Sequence, residues 1–147
     1  MEKVAKNDLG EVVKRVLAHL PKKEERPGRA ALLTLEGELG AGKTTFVQTL
    51  AKELGVAETV QSPTYVLMKS YELSGGVYKK LVHIDAYRLA GAHEFEGLNP
   101  SAFLLDEDAL VCIEWPSRIE GALPKPNLTL EFSSEGAGES ERYIKIA

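Results

Sequence analysis

Only one cysteine, Cys112, occurs among the 147 residues, so an internal disulfide is excluded. No apolar run approaches the roughly 20 residues that a membrane-spanning helix requires. The first residues, MEKVAKNDLGEVV, lack the apolar core of a secretory signal. Positive charge is not in excess: 18 Lys and Arg stand against 22 Asp and Glu, and the isoelectric point is near 5.5. A free-standing nucleic-acid binder carries a basic surplus, so stable direct DNA binding is not expected. These absences predict a soluble, cytoplasmic protein without membrane contact. What is present is ordinary globular usage, 44% hydrophobic and 27% charged. It suits one domain over residues 1–147 with a core that needs no metal or disulfide staple.

Leu9, Val12, Val13, Val16, Leu17 and Leu20 follow a helical period. Asp8 before them and Glu11 three residues on resemble a capping box, so an amphipathic helix is predicted over 8–20. The charged stretch PKKEERPGRA, 21–30, reads as a solvated connector. Ala31–Leu35 reads as a buried strand, and Lys43–Leu54 as a helix ended by Gly55. Tyr65–Tyr71 and Val77–Ile84 flank LSGG and predict two strands joined by a glycine turn. Residues 87–105 suggest short helical turns, Ala109–Ile113 another buried strand, and 116–127 mostly loop. Leu128–Phe132 and Tyr143–Ile146 suggest a terminal hairpin. Short turns demand antiparallel pairs, whereas a buried strand feeding a helix belongs to a parallel sheet. The predicted fold is therefore α/β, with a mixed central sheet flanked by helices.

Gly37-Glu38-Leu39-Gly40-Ala41-Gly42-Lys43-Thr44 matches G-x-x-x-x-G-K-[ST] in full, between a predicted strand and helix. Glycines let the backbone curl so that N–H groups face phosphate oxygens, and the helix start adds free N–H groups. In such P-loops the lysine, here Lys43, reaches the β- and γ-phosphates, and the hydroxyl of Thr44 is suited to Mg²⁺. A carboxylate is needed nearby. Leu81-Val82-His83-Ile84 leads to Asp85, and Leu110-Val111-Cys112-Ile113 leads to Glu114. Both acids are candidates; chemistry alone does not say which meets the metal and which positions the attacking water. In Ser62-Pro63-Thr64-Tyr65, Pro63 biases Ser62 to extended geometry and can present Thr64 to a γ-phosphate, although a strand-entry turn is an equal reading. Trp115, directly after Glu114, reads as a moving switch, an interface anchor or half-buried packing. Arg88 and Arg118 are candidates for phosphate neutralisation or surface ion pairs. Cys112 and the three histidines, His83 included, read as structural. The GTPase base-reading motif N-K-x-D is absent, which lowers GTP without establishing ATP.

The segments LEGELGAGKTTF (35–46), SPTYVL (62–67), HIDAYRL (83–89) and IEWPSR (113–118), taken together, resemble the TsaE (YjeE) family of bacterial ATPases. The resemblance implies a P-loop NTPase fold and a slow ATPase acting in threonylcarbamoyl modification of tRNA adenosine. It implies ATP and Mg²⁺ as cofactors. Leu39, Gly40, Ala41, Gly42, Lys43, Thr44 and Thr45 would wrap the triphosphate, and Thr44 and Glu114 would carry the metal. Asp85 would assist the metal or the water, with Lys43 and Thr64 beside it in catalysis. Ser62, Pro63, Thr64 and Tyr65 would form a first switch, and Trp115 would mark a second. The partner it implies is the TsaB–TsaD complex, with tRNA met only through that complex. Adenine contacts would come from outside the loop, with Lys3 and Arg142 as candidates. Two readings compete: a P-loop kinase, for which an arginine-rich lid is missing, and a nucleotide-binding module without useful turnover.

Overall fold

Strands buried on both faces read as continuous apolar runs, and two such runs build the centre of this molecule. The computed structural model describes residues 1–38, 40–56 and 68–147. β2 (Ala31–Gly37) and β5 (Ala109–Glu114) pair in parallel, with Leu35 opposite Glu114. β4 (Lys80–Asp85) lies parallel to β5 on its far side, and β6 (Leu128–Ser133) lies parallel to β2. Antiparallel strands finish the edges: β3 (Met68–Glu72) on β4, β7 (Glu141–Ile146) on β6, and β1 (Glu2–Ala5) on β7. The seven-stranded order is β1-β7-β6-β2-β5-β4-β3. The expected mixed sheet is therefore present.

The period of two along each strand divides the core between its faces. Leu33, Leu35, Leu81, Leu110 and Cys112 meet α1 (Leu9–His19) and α2 (Lys43–Glu53) through Val13, Val16, Phe46 and Leu50. Leu32, Val82, Ile84, Val111 and Ile113 meet Phe95 on α3 (Ala92–Glu96) and Phe103 on α4 (Ser101–Leu104). This is the layered arrangement that buries both faces of a sheet. Among the described residues, no helix is long and apolar enough to cross a membrane.

One strand is new and three expectations need correction. β1 was not foreseen: of its residues only Val4 is buried, and the strand exists because the β7 backbone offers it a ladder. Asp8 does not cap α1 with its side chain. A 3-10 turn, Lys6–Asp8, runs directly into the helix, so Asp8 is not in the extended geometry that a capping box uses. The connector 21–30 is not wholly solvated. Arg26 is 4% exposed, and its guanidinium donates to the carbonyls of Pro21, Arg29 and Glu107 at 3.2, 2.8 and 2.8 Å. The strand expected over Val77–Ile84 starts at Lys80, because Leu73 N–H and Lys79 C=O close the preceding glycine turn at 2.9 Å.

Candidate functional site

The parallel strands β2, β4 and β5 end together, and their carboxyl ends carry the chemistry. β2 releases the glycine loop at Gly37, β4 ends at Asp85, and β5 ends at Glu114. Asp85 and Glu114 are register partners. Alternation turns both toward the α2 face, together with Leu81 and Leu110. Gly40 (φ +77°) and Gly42 (φ +101°) take left-handed conformations, which cost any side-chain-bearing residue about 1–2 kcal/mol. Gly42 caps α2, and its carbonyl accepts from the N–H of Phe46 at 2.9 Å. N–H groups in the first turn of a helix have no intrahelical partner; Lys43, Thr44 and Thr45 form that turn and line a cavity of about 340 Å³.

Lys43 is 4% exposed. Its ammonium donates to the carbonyls of Gly37 and Glu38, the latter at 2.8 Å. It also sits 4.4 Å from the centre of the Trp115 ring. Burial pushes its pKa below the ordinary value, opposed by the negative charges of Glu114, Glu36, Glu38 and Asp85. Trp115 is left-handed (φ +59°, ψ +53°), a strained geometry for a bulky residue. Its N–H donates to Leu35 C=O at 3.0 Å, so the chain stays bonded to β2 as it turns. The Trp115 ring lies 5.0 Å from Tyr87, and the Arg118 guanidinium lies 5.0 Å from the other partner of that stack, the Tyr87 ring.

Thr44 Oγ1 lies 3.1 Å from each carboxylate oxygen of Glu114, and Glu114 is 3% exposed. Nε2 of the fully buried His83 lies 2.5 Å from Glu114 Oε2. Asp85 accepts from Tyr87 N–H at 3.0 Å. Burial raises the Asp85 pKa; that hydrogen bond lowers it, and the charge of Glu114 raises it again. Among the described residues no cluster of three His, Cys, Asp or Glu could hold a metal alone. A hard cation that arrives with phosphate and water needs only one or two protein oxygens. The Thr44 hydroxyl and the Glu114 carboxylate are of that kind and adjacent, so the donor set fits Mg²⁺.

The cavity also has an apolar part, Val4, Ala5, Leu9, Phe132 and Ile144, beside the polar Lys6, Glu139, Ser140 and Arg142. β1, the start of α1, β6 and β7 bring the apolar residues together, and no local pattern revealed that they meet. Arg142 reaches the loop from β7, its Nε donating to Gly40 C=O at 3.2 Å. Lys3 is exposed, 5.8 Å from the Tyr143 ring, and does not line the cavity. Arg88 and Arg118 are exposed and do not line it either. Glu38 ties the loop to the β6–β7 turn by accepting from Ser134 N–H at 2.7 Å, which holds its carboxyl below the usual range.

Of the residues singled out from sequence, Gly40, Ala41, Gly42, Lys43, Thr44, Thr45, Asp85, Glu114 and Trp115 all line this one cavity. Leu39 and Ser62, Pro63, Thr64 and Tyr65 lie outside the described residues. His83, read as structural although near the candidate site, contacts Glu114. The usable signal was its spacing from Asp85, since residues two apart on a strand share a face.

Fold and site define a class: an α/β protein whose parallel strands deliver a glycine loop, a helix start and two carboxylates to one cavity. Residues 5–144 match the family model described as threonylcarbamoyl adenosine biosynthesis protein TsaE, and the chain belongs to that family. It is 37% identical over 130 residues to the tRNA threonylcarbamoyladenosine biosynthesis protein TsaE of Bacillus subtilis, covering 88% of this chain and 76% of that one. It is 39% identical over 118 residues to the protein of the same name from Aquifex aeolicus, covering 78% and 75%. The crystal structure of Bacillus subtilis YdiB superimposes with a TM-score of 0.66 at 29% identity, covering 99% of this chain and 82% of that chain.

Proposed function

We propose that this chain is a P-loop ATPase that binds ATP with Mg²⁺, hydrolyses it slowly alone, and serves tRNA threonylcarbamoyladenosine modification through a cytoplasmic TsaB–TsaD complex. The observation that carries the reading is the meeting of Lys43, Thr44 and Glu114 at the carboxyl end of the sheet, with Thr44 and Glu114 3.1 Å apart. The names of the relatives supply the pathway.

On this reading each residue has a task. The loop and the first turn of α2 offer N–H groups to the triphosphate. Lys43 gives up the Gly37 and Glu38 carbonyls for phosphate oxygens, where its charge stabilises the transferring phosphoryl group. Thr44 and Glu114 would hold the cation, which, when bound, neutralises charge on the phosphate oxygens. Asp85, beside Glu114, orients the attacking water. Val4, Ala5, Leu9, Phe132 and Ile144 give a flat heteroaromatic base an apolar seat. Neither Arg88 nor Arg118 lines the cavity, and Arg142, which does, is held to the Gly40 carbonyl. An added positive group from a partner would raise turnover.

ATP hydrolysis by the purified chain, with and without TsaB–TsaD, tests this, with Lys43→Ala as control. Turnover that rises with the partner and vanishes in the variant supports the proposal. Tight ATP binding with no turnover in either setting overturns the ATPase and leaves a binding module.

A further inference from the structure

The buried histidine is the polar group that the site so far leaves without a task. His83 precedes Asp85 by two on β4 and pairs with Cys112 on β5. Its neighbours on that face are Leu81, Leu110 and Cys112, where an aliphatic side chain would pack without polar cost. Its Nδ1 is buried and has no hydrogen-bond partner among the described residues. A buried polar atom left unpaired is unfavourable, so Nε2 must repay the presence of an imidazole there. Nε2 lies 2.5 Å from Glu114 Oε2, within hydrogen-bonding reach of the carboxylate.

We infer that His83 is a positioning residue: it donates from Nε2 to Oε2 and so fixes the rotation of the Glu114 carboxylate toward Thr44. The inference rests on the nucleotide reading above. Glu114 is almost wholly buried, and among the described residues the Thr44 hydroxyl also hydrogen-bonds to its carboxylate. That hydroxyl lies equally far from both oxygens, so it does not select an orientation by itself. His83 does, because it engages one oxygen from the adjoining strand, β4. A group that orients a metal-binding carboxylate changes metal affinity without touching the nucleotide.

The test is calorimetric titration of full-length protein with ATP, first in EDTA and then with Mg²⁺, for wild type, His83→Leu and His83→Gln. Thermal unfolding without ligand controls for folding. His83→Leu is expected to leave ATP affinity in EDTA within about threefold of wild type and to raise the Mg²⁺ needed for half-effect about tenfold or more. His83→Gln, whose amide N–H reaches where Nε2 stood, is expected to recover most of that loss. Should His83→Leu not fold, His83→Phe keeps the ring's bulk and serves in its place. Equal losses with and without Mg²⁺, or a lower unfolding temperature with an unchanged Mg²⁺ response, overturn the inference and leave a packing role. A wild-type protein whose ATP affinity ignores Mg²⁺ overturns the nucleotide–metal reading itself, and this inference with it, before any variant is compared.

Discussion

The Lys43 ammonium lies 4.4 Å from the centre of the Trp115 ring while it donates to the carbonyls of Gly37 and Glu38. The cation that phosphate would recruit is thus already occupied, by the loop that carries it and by the ring beside Glu114. Trp115 is the sole tryptophan, so tryptophan emission reports on this ring alone. ATP is expected to change the emission by drawing the ammonium off the ring. Lys43→Met should show no ATP-dependent change and no hydrolysis. An unaltered response in Lys43→Met would remove Lys43 from phosphate binding.

The same variant has a stability consequence with a definite sign. Burial depresses the Lys43 pKa below 10.5, so keeping the charge costs the folded state. Between the depressed folded value and 10.5 the unfolded chain binds more protons, and stability rises with pH. Below that window the cost is constant. Lys43→Met is therefore expected to melt at or above the wild-type temperature at pH 7, and to lack the wild-type rise at alkaline pH. A large drop in melting temperature would mean that the two carbonyl bonds outweigh desolvation.

Gly37 ends β2 against Phe132, and the close approach leaves no room for a side chain. A Cβ on Gly37 would stand 2.4 Å from the Phe132 carbonyl oxygen, a backbone atom that cannot rotate away. Gly37→Ala must part β2 from β6 where the loop begins, at a cost of about 2–4 kcal/mol. Gly55 is also left-handed (φ +89°) but faces open space. Gly55→Ala is expected to cost only the backbone strain, about 1–2 kcal/mol. Urea unfolding of both variants separates clash from strain; equal midpoints would contradict the crowding at Phe132.

What the sequence revealed and what it hid divide along physical lines. The glycine loop, Lys43 and Thr44 are contiguous, so their chemistry is readable without a fold. Ala31–Leu35, apolar but for Thr34, and Ala109–Ile113, apolar throughout, are covered on both faces, and they read as strands at once. β1 has one buried residue, Val4, and draws its structure from β7. The apolar wall of Val4, Leu9, Phe132 and Ile144 joins the two ends of the chain and has no local signature. The contact of His83 with Glu114 was not legible because Glu114 is 31 residues away, on the adjoining strand.

Arg26 is the plainest case of a charge that looked solvated. Its guanidinium satisfies three carbonyls, lies 5.3 Å from the Tyr78 ring, and joins the connector to Glu107 ahead of β5. Arg26→Met would keep much of the bulk and strand those carbonyls, at about 2–4 kcal/mol. Arg26→Lys should recover little, since an ammonium cannot reproduce the planar fork. Chemical denaturation measures both, and a neutral Arg26→Met would show that water replaces the guanidinium freely.

Cys112 offers a readout of the site that needs no turnover. It is fully buried in the middle of β5, opposite Leu33 and His83, and two residues before Glu114. Burial pushes its thiol pKa far up, with the charge of Glu114 adding to the effect, so the reactive thiolate is scarce in the folded protein. An aromatic disulfide reagent should therefore label native protein slowly, through opening of the central strands, and unfolded protein at once. A ligand that binds only the closed form lowers the open population by the factor 1 + [L]/Kd. At about a hundredfold excess of ATP over its Kd, with Mg²⁺ present, labelling should slow about a hundredfold where opening is in fast equilibrium. Lys43→Met should show no such slowing. Equal protection in the two proteins would place ATP, if it binds, away from the glycine loop, because the thiol senses opening of the sheet and not the route by which nucleotide prevents it.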